Sequence, residues 1–103
     1  MMHNPPHPGE FIQETYLDPF DISHNAMAER LNVAGSTFNR LAKGESSVSP
    51  EMAYRLSRVL GRSPESWLNL QAQYDLFETR KCVSLKGLRK LNFTKFAGAR
   101  AHR

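Results

Sequence analysis

The 103-residue chain contains a single cysteine, Cys82. One thiol cannot close an internal disulfide, and with no second cysteine near it there is no thiolate metal cage. No apolar run approaches the length needed to span a bilayer, and residues 1–9 lack the apolar segment of a secretory signal, so neither export nor a membrane partner is expected. A reducing cytoplasm is the simplest compartment. Signatures of catalysis are missing as well: there is no G-x-S-x-G elbow, no phosphate-cradling glycine loop, no H-E-x-x-H, and no cysteine paired by motif with a histidine. An enzyme is not expected, nor is a cofactor. What remains is ordinary for a globular protein, 40% hydrophobic and 23% charged, with enough chain for one modest core.

Acidic residues are also absent from one end. Residues 1–78 hold six Lys or Arg against ten Asp or Glu, a balance of −4, whereas residues 79–103 hold eight Lys or Arg and no acid. The net charge of +4 therefore belongs to the tail. An acidic body is not drawn to a polyanion by its overall field, so any such contact depends on where individual cations are placed.

The most informative stretch is residues 24–43, HNAMAERLNVAGSTFNRLAK. Met27, Ala28, Leu31, Val33, Phe38 and Leu41 follow helical spacing that breaks once around Asn32 and then resumes, which predicts a helix, a tight turn and a second helix over residues 34–43. A reversal this short needs a residue at positive φ, cheapest for glycine and next for asparagine. Asn32 supplies it, and Ala28 is small enough for the helices to approach. This order resembles the helix-turn-helix of phage-repressor-type DNA-binding proteins, in which glycine is the usual turn residue. With Val33, Phe38 and Leu41 inward, Gly35, Ser36, Thr37, Asn39, Arg40 and Lys43 are left outside. The resemblance makes them candidate DNA contacts. Asn39 and Arg40 are the best candidates for base readers, since Asn suits adenine and Arg suits guanine; Ser36 and Thr37 suit a base or a phosphate, and Lys43 the backbone. The plainer alternative is a polar solvated face.

The remaining helices are marked by their ends. Residues 1–8, with three prolines and no periodicity, read as an extended arm; His3 and His7 have ligand spacing only on a helix, which the prolines oppose, so no metal site is expected. A first helix starts near Pro8-Gly9-Glu10 and runs to about Leu17, with Phe11, Ile12 and Tyr16 inward; Glu10 and Glu14 complement its dipole rather than form a catalytic pair. Ser23 is the cap of the next helix, and Gly44 the stop of the one after. Ser49-Pro50-Glu51 and Ser63-Pro64-Glu65 repeat one start signal: a serine cap, a proline at the first helical position and an acid at the positive end. The fourth helix, 50–60, carries Met52, Leu56, Val59 and Leu60 inward and Arg55 and Arg58 on a solvated or phosphate-facing side.

The fifth helix, from Pro64 to about Glu78, is apolar on two sides: Trp67, Leu70, Tyr74 and Phe77 on one stripe, Leu68, Ala72 and Leu76 on another. So small a body cannot cover both, which predicts a homodimer. The Trp67, Leu70, Tyr74 and Phe77 stripe is the candidate interface, with the choice between the two faces open; a lone tryptophan is more often core than a cofactor platform. A dimer would set two recognition helices roughly 34 Å apart on a palindromic site. In the tail, Leu85, Leu88 and Leu91 alternate with Lys86, Arg89 and Lys90, predicting a short amphipathic helix capped by Ser84 and suited to a partner subunit, to phosphates or to an anionic surface. Phe93 and Phe96 follow, with disorder expected from Ala97 onward.

Taken together, His7-Pro8-Gly9-Glu10, the helix-turn-helix, Ser-Pro-Glu-Met-Ala at 49–53 and Trp-Leu-Asn-Leu-Gln at 67–71 followed by Tyr74-Asp75-Leu76 resemble the HigA-type antitoxins, also called the VapI family. The resemblance covers about residues 5–78. It implies an all-α, five-helix phage-repressor-like domain at 9–78 with a basic C-terminal extension at 79–103. It further implies a homodimer that binds operator DNA in its own promoter and neutralises a cognate toxin, a ribosome-dependent ribonuclease acting on messenger RNA. Some relatives are stand-alone regulators. A helix-turn-helix that has lost DNA binding and serves only as a protein-interaction module is the remaining alternative.

Overall fold

Four of the five helices among the described residues begin where a side chain offers an acceptor to the open backbone donors of the first turn. In the computed structural model, which describes residues 4–94, the Ser23, Ser49 and Ser63 hydroxyls accept from the amides of Ala26, Met52 and Ser66 at 3.1, 3.1 and 3.0 Å. These caps open α2 (His24–Leu31), α4 (Pro50–Leu60) and α5 (Pro64–Arg80). The first helix, α1 (Pro8–Ile12), is capped instead by the His7 ring, whose Nδ1 accepts from Gly9 N at 2.9 Å. It widens into a π-helical turn over Gln13–Leu17, closed by the Asp18 amide on the Gln13 carbonyl at 2.9 Å. The fifth element in space, α3 (Gly35–Ala42), follows α2 after three residues. The described residues are all-α, with five helices and no strand.

Two reversals share one device. Asp21 and Asn32 both take the left-handed conformation, and in each case the following amide reaches back five residues: Ile22 N to Leu17 O and Val33 N to Ala28 O. This is the Schellman closure, which satisfies the last helical carbonyls while turning the chain. Gly44, at φ +78°, closes α3 in the same way through Glu45 N on Arg40 O.

The core gathers one face of every helix around Ile12, Leu17, Leu31, Phe38, Leu41, Leu56 and Trp67. Close packing of α1 on α3 depends on Gly9, where a Cβ would overlap the Leu41 carbonyl. On the far side, Trp67 stacks edgewise on Phe11 with ring centres 5.9 Å apart, and the Arg62 guanidinium lies over both rings.

Several expectations are corrected. Trp67 is not an interface residue: it is fully buried within the chain itself, and its Nε1 donates to the Gly61 carbonyl at 2.9 Å. Leu70 packs against the core, Tyr74 stands edge-on to His7 at 4.9 Å, and Phe77 is half-buried under the cations of Arg80 and Lys81. The residue left open on α5 belongs to the other stripe, Leu76, 71% exposed. On α4 the inward place assigned to Val59 is taken by Ala53. The arm is not free at its end, because His7 and Pro8 are buried. No helix forms over 84–91; Leu85, Leu88 and Leu91 lie exposed around a turn at Lys86-Gly87. Their three-residue spacing gave a stripe but too few favourable contacts to nucleate a helix without a surface to pack on. His3, Phe96 and the chain from Ala97 lie outside the described residues. No helix among the described residues is long and apolar enough to cross a membrane.

Candidate nucleic-acid interface

Asn32 sets the geometry of this region. At φ 58° and ψ 47° it turns the chain between α2 and α3 in a conformation that a β-branched residue would resist. Val33, half-buried, then anchors the exit, and Phe38 and Leu41 seat α3 on the core. The turn is braced from outside as well. Arg55 of α4 donates through Nη1 to the carbonyls of Leu31 (2.9 Å) and Asn32 (3.3 Å), while its Nη2 is held by Glu51 at 2.7 Å. Arg55 is therefore a strut of the turn, not the solvated or phosphate-facing side chain expected from its place in the sequence.

On α3 the six candidate residues divide by exposure. Ser36, Arg40 and Lys43 are exposed and lie three to four residues apart, so they form one stripe along the helix. Thr37 is half-buried in a groove it shares with Ser49, Glu51 and Arg55, on the α4 side of that stripe. Gly35 is half-buried against α2, where a Cβ would come within 3.0 Å of the Asn25 Oδ1. Asn39 is also half-buried, at the edge of the stripe nearest the start of α2, and its Oδ1 lies 2.9 Å from His24 Nδ1. The other ring nitrogen of His24 meets Gln13 Oε1 at 2.7 Å, and Gln13 Nε2 donates to Asp18 Oδ1 at 2.7 Å. The ring packs edgewise on Phe38. Asn39 is thus tied into a polar chain running back to the π-helical turn.

The loop leaving α3 is fixed from α5. Gln71, buried, accepts from the Val48 amide at 2.9 Å and donates to Asp75 at 3.0 Å. With the Trp67 bond to Gly61, this gives the Trp-Leu-Asn-Leu-Gln segment a structural role: Gln71 holds the segment after the exposed helix and Trp67 the end of α4. His7 supports the same loop, because its ring is hydrogen-bonded to the Ser46 backbone and lies against Gly44. Burial pushes the His7 imidazole below its ordinary value, against the Ser46 bond and the charges of Asp75 and Glu10, which act the other way.

Sequence reasoning missed Gln13, His24, His7 and Gln71 as supports of this region. Only Gln71 left a readable sign, since it lies one turn beyond Trp67 and must share its inward face. The others act across turns, where spacing carries no information.

A short helix, a left-handed turn and a second helix with an exposed polar stripe define a helix-turn-helix, and residues 14–67 match the Helix-turn-helix family. The chain is 44% identical over 90 residues to YddM of Escherichia coli (strain K12), described as an uncharacterized HTH-type transcriptional regulator, covering 87% of this chain and 95% of that one. Its structure is similar to that of the antitoxin GraA, with a TM-score of 0.80 at 34% identity over 87% of this chain and all of the other. It is likewise similar to the Pseudomonas aeruginosa antitoxin HigA solved with the higBA promoter, with a TM-score of 0.71 at 38% identity over 75% and 84% of the two chains. The chain belongs to the HigA-type antitoxins of the phage-repressor-like helix-turn-helix family.

Proposed function

We propose that this protein is the antitoxin of a type II toxin-antitoxin pair: a homodimer that binds operator DNA at its own promoter and neutralises an mRNA-cleaving toxin. The observation that carries the DNA-binding half is the exposed stripe of Ser36, Arg40 and Lys43 on a helix braced at both ends, with Asn39 at its edge. In this reading Arg40 and Asn39 read bases, Ser36 and Thr37 bond a base or a phosphate, Gly35 allows close approach of the helix start, and Lys43 meets the backbone. The solved likeness to an antitoxin bound at a promoter supports it. The dimer is supported by the exposed Leu76 beside Ala72 on α5. The toxin rests on family membership alone, and no residue is assigned to it.

A gel shift against the DNA upstream of the gene, with salt varied, tests operator binding. The expected result is a shift that weakens steeply with salt. Arg40→Ala should cost about 1–3 kcal/mol and relax preference at one base pair. No shift at any salt concentration would leave a protein-interaction module. The similarity to a transcriptional regulator favours one other reading, a stand-alone repressor. A neighbouring reading frame whose small basic product arrests growth, and is silenced by co-expression of this chain, separates the antitoxin from it.

A further inference from the structure

We infer that residues 83–93 of one copy dock on the open side of α5 of a second copy, their leucines against its Leu68, Ala72 and Leu76 and their cations beside its acids. The inference deepens the proposed homodimer and rests on it. Nine large apolar side chains stand exposed among the described residues, and six of them, Leu76, Val83, Leu85, Leu88, Leu91 and Phe93, lie in the last stretch of the described chain. Open apolar surface concentrated in this way points to a contact. The contact is not with the segment's own body, because every residue from Val83 to Thr94 is exposed.

The receiving face has the matching character. On α5, Glu65, Leu68, Ala72, Asp75, Leu76 and Thr79 recur at three- and four-residue spacing and share one side; Leu68 is half-buried and the other five are exposed. Between Glu65 and Thr79 the helix carries no cation. The segment carries Lys86, Arg89 and Lys90 and no acid, with its leucines three residues apart. A phosphate backbone would take the cations but leave five large apolar side chains in water, whereas this face takes both. The chain path favours a second copy. α5 ends at its cap Lys81, five residues past Leu76 and so roughly 7.5 Å along the axis. A twofold pairing about Leu76 therefore starts each tail beside the other copy's helix. Leu76 alone is one side chain, far short of the about 1,200–2,000 Å² that a stable pair buries, and two docked tails enlarge the contact. The eight cations of residues 79–103 outnumber the acids of this face, so a docked tail keeps net positive charge.

Two measurements on the full chain test this. In the first, a copy bearing a nitroxide on Lys90→Cys, with Cys82→Ser, is mixed with a nitrogen-isotope-labelled Cys82→Ser copy. The amide signals of Leu68, Ala72 and Leu76 in the isotope-labelled copy should lose intensity. In the second, sedimentation of Leu85→Ser with Leu88→Ser should show the dimer dissociation constant raised at least about tenfold, since burial of two leucines is lost. Helix content should be unchanged, because both side chains are open in the single chain. A dimer with neither effect overturns the docking and leaves the pairing at Leu76 standing. Signal loss only when nitroxide and isotope share one chain means that the tail covers its own helix, and overturns the proposal. Loss that appears only after operator DNA or anionic vesicles are added assigns the segment to phosphate or lipid, and also overturns it. No dimer at any concentration overturns both readings.

Discussion

At the scale of single residues, the support of the exposed helix rests on side chains with unusual surroundings. His7 caps α1 through a ring nitrogen that must be unprotonated to accept from Gly9, and burial favours the same neutral form. Because its folded value is depressed, the unfolded chain takes up a proton first as pH falls through the ordinary histidine value of about 6.5. The His7 contribution to stability is therefore fully present above that value and declines below it, until the folded form is also protonated. Urea melts of the wild type and His7→Gln across this range should show a gap between the two that narrows toward acid. A second residue, Gly9, admits no side chain. Gly9→Ala drives a methyl group into the Leu41 carbonyl and separates α1 from α3, which should cost at least about 1–3 kcal/mol. Because unfolding exposes the same surface, the denaturation midpoint should fall with an unchanged m-value.

At the scale of elements, the helices were largely legible before any coordinates. The three serine caps, the prolines behind two of them and the stop at Gly44 appear where the residues place them, because capping is a local transaction between neighbours in the chain. Asn32 was readable for the same reason. What spacing could not reveal is how elements hold one another. Arg55 looked like a surface cation on α4, yet it ends on two carbonyls of α2 twenty-odd residues away. Gln71 belonged to neither apolar stripe read from the spacing of the fifth helix, yet it is the partner of the buried Val48 amide. Gln71→Leu should leave that amide without an acceptor, at a cost of about 1–3 kcal/mol. Hydrogen exchange at Val48 should accelerate more than at the core of α4, which would separate a loosened loop from global unfolding.

At the scale of the whole molecule, the division of charge and the leftover apolar surface decide behaviour. The body is net acidic while residues 79–103 carry eight cations and no acid, so under the proposed operator binding non-specific attraction to DNA is concentrated in the tail, apart from the specific contact assigned to α3. Leu76, exposed on α5, is the place to test assembly. Under the proposed homodimer, Leu76→Glu should leave the protomer folded, since the side chain lies outside the core. It should shift sedimentation toward the monomer and weaken operator binding, because two half-sites would no longer be engaged together. A Leu76→Glu protein with unchanged mass in solution places the contact elsewhere. The error over Trp67 is instructive at this scale. Two apolar stripes on one helix state that surface is in excess, but not which stripe the chain buries in its own core.

The amino-acid sequence alone determined that helices begin after Ser23, Ser49 and Ser63, that the chain turns at Asn32, and that Ser36, Arg40 and Lys43 lie on the outer side of α3, since all of these follow from contacts within a few residues. Only the tertiary structure decided that Trp67 is core, that Arg55 and Gln71 brace the loops on either side of α3, and that Asn39 is held by His24. Those outcomes depend on which distant segments share a neighbourhood once the core has closed, and no periodicity within a single helix encodes that.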